Sequence, residues 1–251
     1  MLKIRSFLSE LKAIIIEIIF PVKCLNCGKE GQFLCEDCFS IIQIIDQKYC
    51  HICKKRKPAN VFQCEECRRK TSLDHVFFAT TYQESQEDVL NRKLILCFKY
   101  KALIRGLSLI FSKLIIAHFR AIDLINENND FFENFVIIPI PLHNKRKKWR
   151  GFNQAEEIAK CLSLELKIPM LKKSLRRVKN TKSQTETENH QERKDNVEGA
   201  FECFDDKPIK ERNVLLIDDI YTSGATIEEA AKTLKKKGVK RVWGCVVAMG
   251  S

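Results

Sequence analysis

Apolar residues along this chain gather into short blocks with two kinds of spacing. Leu8, Leu11, Ile15 and Ile18 recur near helical spacing, and the run Ala13 to Phe20 carries Glu17 and stops at Pro21. That pattern predicts an amphipathic helix packed on protein. The run is far shorter than the roughly 20 residues that cross a bilayer, and no signal-peptide cleavage pattern follows it. A cytoplasmic protein without stable membrane insertion is therefore expected. Phe135 to Pro141, F-V-I-I-P-I-P, and Val214 to Ile217 read as short buried parallel strands. Each precedes a helix with one apolar face: Ala155, Ile158, Ala159 and Leu162 after the first, Ile227, Ala230, Ala231 and Leu234 after the second. Strand then helix, twice over, predicts an α/β domain with a central, mainly parallel sheet and a site at the carboxyl ends of its strands.

The block from Pro21 to about Thr71 has few large side chains beyond Phe33, Phe39 and Phe62, so burial alone would hold it poorly. Cysteine changes the picture there. Eight of the twelve cysteines form C-x-x-C pairs: Cys24/Cys27, Cys35/Cys38, Cys50/Cys53 and Cys64/Cys67. Two intervening residues let both sulfurs of a tight turn face one ion, and zinc takes four such ligands at about 2.3 Å in a tetrahedron. Neighbouring pairs then make two tandem structural zinc sites, each contributing on the order of 10 kcal/mol to folding. The alternatives are disulfides or an iron–sulfur cluster, and the first is disfavoured without a secretory signal. His51 sits inside the third pair and reads as a bystander, because four thiolates already saturate the ion. With 251 residues, two domains are expected: an N-terminal helix and double zinc ribbon over 1–73, and an α/β domain over 74–251.

Charge narrows the partners. Forty-four Lys and Arg against thirty-two Asp and Glu leave a formal +12, which favours nucleic acid or phosphorylated metabolites. The basic residues Lys54 to Lys57 and Arg68 to Lys70 either touch nucleic acid or offset the negative charge of the tetrathiolate zinc. Trp149, Phe152 and Tyr100 lie beside basic residues where they would stack on bases, although core packing is the expected fate of two of the three.

The clearest chemistry follows Val214 to Ile217. Asp218 and Asp219 end the strand, and Thr222-Ser223-Gly224-Ala225-Thr226 leads into the next helix. Small and hydroxylated residues at a helix start leave backbone N–H groups aimed at an anion, while paired carboxylates accept from the vicinal hydroxyls of a ribose joined to that phosphate. Thr226 with Glu229 also fits a capping box. After Phe135 to Pro141, the stretch His143 to Arg150 reads as a basic loop suited to pyrophosphate, with Asn153 capping the following helix.

The string V-L-L-I-D-D-I-Y-T-S-G-A-T resembles the 5-phosphoribosyl-1-pyrophosphate signature of type I phosphoribosyltransferases. With P-x-P-L-H and R-G-F-N-Q around the basic stretch, and cysteine pairs upstream, nearly the whole chain resembles the ComF competence family. Phe98-Lys99-Tyr100, Asn196 and Gly199-Ala200-Phe201 agree with it; Lys101-Ala102 departs from it, because members often have glycine there. The resemblance implies catalytic roles for Asp218, Asp219 and Arg150. It implies ligand contacts from Tyr221, Thr222, Ser223, Gly224, Ala225 and Thr226, together with His143, Arg146 and Asn153. Lys179 to Asn196 would be a flexible loop, with Arg176, Thr181, Gln184 and Arg193 serving it. Phosphoribosyl pyrophosphate with Mg²⁺, single-stranded DNA, and a competence helicase or other DNA-uptake protein are the implied partners. The implied function is the cytoplasmic handling of incoming single-stranded DNA. The alternatives are a non-catalytic nucleic-acid binder that retains the fold, or a metabolic phosphoribosyltransferase of nucleotide synthesis or salvage.

Overall fold

The structure is a computed structural model that describes residues 21–58, 61–82, 89–100, 105–125, 130–181 and 190–250. The helix expected around Leu8 to Ile18, and the segment holding Lys101-Ala102, lie outside them. Contacts divide the chain into two compact units, Met1–Gln43 and Ile44–Ser251.

In the smaller unit, Cys24 and Cys27 sit on a turn closed by Gly28 N donating to Cys24 O at 2.9 Å, and Lys23 bridges Glu30 antiparallel. The second pair opens helix α1 (Glu36–Ser40), with Cys35 at its N-cap.

The larger unit begins with the second cysteine set. Strands β1 (Lys48–Tyr49) and β2 (Arg56–Lys57) form a small hairpin, and Cys64 caps helix α2 (Glu65–Arg68). This ribbon belongs to the α/β unit, because Ile45 N donates to Ala79 O, Tyr49 lies 6.4 Å from Phe78, and Glu228 accepts from Thr71 Oγ1 and Ser72 N.

Next come β3 (His75–Tyr82), α3 (Val89–Tyr100), α4 (Leu107–Ala121), β4 (Phe135–Pro139), α5 (Asn144–Arg150) and α6 (Gln154–Leu166). The chain continues with β5 (Leu175–Arg177), α7 (His190–Val197), β6 (Phe201–Cys203), β7 (Asn213–Tyr221), α8 (Ala225–Lys235) and β8 (Arg241–Gly250). The central sheet has the order β3-β8-β7-β4, and every pair in it is parallel. Its strands are apolar on both faces, as the sequence blocks predict: Val214, Leu216, Val242 and Val246 meet Ile227, Ala230, Ala231 and Leu234 of α8. Helices α4 and α6 cover the other side, α4 over β3 and β8, α6 over β4 and β7. Burying such runs is the main stabilising term, about 25 cal/mol for each Å² of apolar surface removed from water.

Chain direction across the sheet changes between β4 and β7. From β4 the chain runs outward through α6 to a parallel bridge between Met170 and Ile137, whereas from β7 it runs through α8 to β8 on the opposite side. Loops diverge at such a point and leave a crevice beyond the strands' carboxyl ends.

The stretch expected as a basic loop is the helix α5 instead. It contains neither glycine nor proline, His143 Nδ1 accepts from Lys145 N at 3.3 Å to cap it, and Gly151 ends it at φ 80°. Lysine and arginine are good helix formers, so seven residues that include five of them, set between two stops, make two turns without an apolar stripe.

Candidate functional site

β7 carries Asp218, Asp219, Ile220 and Tyr221 past the sheet edge; Thr222, Ser223 and Gly224 then turn the chain, and α8 starts at Ala225. Gly224 is the N-cap at φ 73°, where an added Cβ would fall within 2.8 Å of three Tyr221 side-chain atoms. The turn thus needs a residue without a side chain, both for its left-handed conformation and for the space Tyr221 takes. The capping box is not formed. Gly224 has no side-chain cap, Ser223 Oγ accepts from Ala225 N at 3.4 Å, and Glu229 Oε1 accepts from Gly199 N at 2.8 Å. The start of α8 thus lacks the expected side-chain cap, and its positive dipole end favours an anion.

Asp218 Oδ1 accepts from Asp219 N at 2.9 Å, and Asp219 Oδ2 pairs with Lys99 Nζ at 3.2 Å, bringing the end of α3 onto the acids. Burial, and then the neighbouring Asp219 carboxylate, raise the Asp218 carboxyl to about 7, with Lys99 and Arg177 opposing. Asp218, Asp219, Thr222 and Thr226 line one cleft of about 230 Å³ with Lys99, Arg146, Arg150, Asn153, Arg177 and Arg193. The acid pair and the threonines at the two ends of the turn therefore face a shared space at the β4/β7 divide.

The cations are held by specific contacts. Arg146 Nη2 donates to Thr181 O at 2.7 Å, Arg177 Nη2 donates to Thr181 Oγ1, and Arg150 Nη1 donates to Gln154 Oε1 at 3.3 Å. The Nε groups of Arg150 and Arg177 are buried without a partner, which leaves hydrogen-bonding capacity inside the cleft. Burial and then Arg146 lower the Arg177 guanidinium to about 10, so it stays charged at neutral pH. Asn153 stands at the N-cap of α6 as expected, but its Nδ2 donates to Ile140 O at 3.0 Å and so ties the helix start to the end of β4.

Other expected residues sit elsewhere. Ser223, Gly224 and Ala225 border a neighbouring depression together with Tyr221, which is 7% exposed against the His51 ring. His143 spends Nδ1 on the α5 cap. Arg176 is exposed and stacks over Phe204, while Arg177, its neighbour on β5, enters the cleft. Gln184 and most of the expected flexible loop lie outside the described residues; its C-terminal part is α7, which brings Arg193 to the cleft.

Each cysteine set holds its four sulfurs within 4.8 Å of one another, with Cys27 to Cys35 at 3.6 Å and Cys53 to Cys64 at 3.4 Å. A tetrahedron with about 2.3 Å bonds has edges of about 3.8 Å, so both sets fit zinc. Burial works against ionisation of Cys24 and Cys50. Backbone N–H groups nevertheless lower both to about 6: those of Cys27, Cys35 and Asn26 at Cys24, those of Cys53, Cys64 and Ile52 at Cys50. Each set thus favours a thiolate at its first cysteine, while Cys38 and Cys67 are pushed up to about 12.

A family model for the phosphoribosyl transferase domain matches residues 117–250, more than half of the chain. The chain belongs to the phosphoribosyltransferase domain family. A second model, for the double zinc ribbon domain, matches residues 15–68, which hold both cysteine sets, so the zinc is structural. Among relatives, this phosphoribosyltransferase-domain chain is 40% identical to Competence protein F of Haemophilus influenzae over 111 residues, covering 43% of this chain and 48% of that one. It is 39% identical to Competence protein ComFC of Bacillus subtilis over 110 residues, 42% of this chain and 40% of the other. Over 245 residues, 88% of this chain and 97% of the relative, it is 26% identical to Competence protein ComFC of Streptococcus pneumoniae. The matched stretches thus span about half or less of the first two relatives, and the ribbon-then-transferase order agrees with the ComF resemblance.

Sequence reasoning missed two parts of the site in this phosphoribosyltransferase domain. Arg177 is separated from Arg176 only by strand alternation, which needs the β5/β6 pairing to read. Glu156, 6% exposed, gathers Lys147 at 3.3 Å and Lys172 at 2.6 Å and so locks α5 onto α6; nothing in a Gln-Ala-Glu-Glu helix start marks which acid is buried. The expected burial of two among Trp149, Phe152 and Tyr100 is also corrected: Phe152 is 3% exposed, but Tyr100 is 53% and Trp149 69% exposed. No helix among the described residues is long and apolar enough to cross a membrane.

Proposed function

We propose that this chain binds 5-phosphoribosyl-1-pyrophosphate with Mg²⁺ in the β4/β7 cleft and acts in DNA uptake by handling incoming single-stranded DNA. One observation carries the binding: two carboxylates and the threonines at both ends of a helix-start turn share a single cleft whose other walls are cationic. In this reading Asp218 and Asp219 accept from the ribose hydroxyls, Thr222 and Thr226 at the two ends of the turn hold the 5-phosphate at the start of α8, and Arg146, Arg150 and Arg177 hold the pyrophosphate. The donors also suit Mg²⁺. They are hard carboxylate oxygens, and burial together with the adjacent Asp219 raises the Asp218 carboxyl, so a cation held between the two acids would favour ionisation of both. Asp218 and Asp219 would hold the ion, which when bound would supply charge neutralisation for a leaving pyrophosphate. Arg150 and its neighbours stabilise the same developing charge and exclude water.

The DNA-uptake role is supported by the competence names of the relatives and by the +12 charge. A second reading, a binder that retains the site without turnover, draws on the Lys99 to Asp219 ion pair, which satisfies one acid without a metal ion. Calorimetric titration of the zinc-loaded chain with phosphoribosyl pyrophosphate, with and without Mg²⁺, tests the common core. Saturable, Mg²⁺-dependent binding that weakens at least tenfold in Asp218→Asn/Asp219→Asn is expected; binding undiminished in that variant refutes it. Pyrophosphate release on addition of an acceptor then separates an enzyme from a binder.

A further inference from the structure

Outside the cleft, large rings stand open to solvent where a folded chain would ordinarily bury them. Trp149 is 69% and Tyr100 53% exposed, on helices far apart in sequence, yet their ring centroids lie 6.0 Å apart at 71°. Arg150 sits 5.7 Å from the Tyr100 ring, adding a planar cation to the pair. Tyr100 and Arg150 also line the cleft that holds the acid pair, so the aromatic pair marks its mouth.

We propose that Tyr100, Trp149 and Arg150 form a stacking platform for a base of single-stranded DNA at the mouth of the sugar-phosphate cleft. The surrounding charge selects this occupant. Helix α5 reads N-K-R-K-K-W-R, five cations and no acid in seven residues, and its exposed Lys145 stands one helical turn before Trp149. A planar π-face beside a row of cations matches a base beside its phosphodiester backbone. Asp218 and Asp219 line the cleft and repel a phosphodiester chain, so a polymer lies across the mouth, where these rings are. Duplex DNA keeps its bases stacked inside and offers no free face to them. This inference rests on the DNA-handling reading above and names the contact that would carry it.

Tryptophan emission reports directly on the platform, because the only other tryptophan, Trp243, is 4% exposed and packed against Phe77. The zinc-loaded full chain is titrated at one fixed salt concentration with oligothymidylate and with an abasic strand of equal length. Thymidylate is expected to quench emission and to bind about tenfold more tightly than the abasic strand. Trp149→Ala should abolish the quench and that preference, Trp149→Phe should keep the preference, and binding of the abasic strand should not change. Equal affinity for both strands, or undiminished thymidylate binding by Trp149→Ala, overturns the platform. Calorimetry with phosphoribosyl pyrophosphate on the same proteins keeps the two readings apart. Normal sugar-phosphate binding without base preference refutes the platform alone, and a base-dependent quench without sugar-phosphate binding supports the platform while refuting the cleft assignment.

Discussion

Gly224→Ala is the sharpest perturbation of the phosphate turn. At φ 73° an alanine carries the left-handed strain of any residue with a Cβ, about 1–2 kcal/mol. Its methyl would also collide with the Tyr221 ring. That ring has little room to retreat: it is 7% exposed and stands edge-on to His51 at 6.3 Å. Overpacking of this kind adds about 1–3 kcal/mol. The expected cost is therefore about 3 kcal/mol in chemical denaturation of the zinc-loaded chain. Phosphoribosyl pyrophosphate affinity should fall at least tenfold, because the amides at the α8 start move with the turn. In a Tyr221→Ala background the collision disappears and only the left-handed strain remains, so the two substitutions should couple by about 1–3 kcal/mol. If Gly224→Ala costs less than about 0.5 kcal/mol, or costs the same in both backgrounds, the account of this turn is wrong.

Three further outcomes are expected. His118 is 3% exposed; burial, partly offset by its contact with Ile45 O, lowers it to about 4, below its ordinary value, so its contribution is complete above about pH 6.5 and is lost as pH falls toward 4. Comparing wild type with His118→Gln, the stability lost between pH 7.5 and 5.5 should be about 1.4 kcal/mol smaller in the variant. Cys64→Ser should lower the zinc content measured by mass spectrometry from two ions per chain to one. It should also weaken phosphoribosyl pyrophosphate binding, since Thr71 and Ser72 beyond that ribbon hold Glu228 in the first turn of α8. Asp218→Asn should raise the melting temperature at pH 8 but not at pH 4: burial and Asp219 raise the native carboxyl to about 7, so its ionisation opposes folding increasingly as pH climbs from 4 through 7.

How much of this was legible depended on whether the relevant residues are neighbours in sequence. Strand, acid pair, turn and helix over Val214 to Leu234 are contiguous, and each C-x-x-C pair states its own geometry, so periodicity and spacing sufficed. Helix α5 escaped because helix propensity without an apolar stripe looks the same as a solvated charge run. The Lys99 to Asp219 pair joins residues 120 positions apart, and Thr71 to Glu228 joins residues 157 apart; no local pattern encodes either. The capping box failed for a related reason. Glu229 is drawn away by Gly199 N, a tertiary donor that outcompetes the local one.

In the proposed reading, charge at the cleft selects the kind of sugar that would bind there. Lys99, Arg146, Arg150, Arg177 and Arg193 face only two carboxylates, and one of those is already paired. A neutral ribose would leave this excess uncompensated and would gain only hydroxyl contacts at the acids. A ribose phosphorylated at both ends would meet the cations and the α8 start with its phosphates and the acids with its hydroxyls, drawing on both sides of the β4/β7 divide. The same excess continues outward along α5 past Trp149, so an anionic polymer crossing the mouth would meet the same kind of charge as the small ligand within. One electrostatic gradient can therefore serve both ligands, and salt should weaken the two together, with the polymer the more sensitive because it spans more cations.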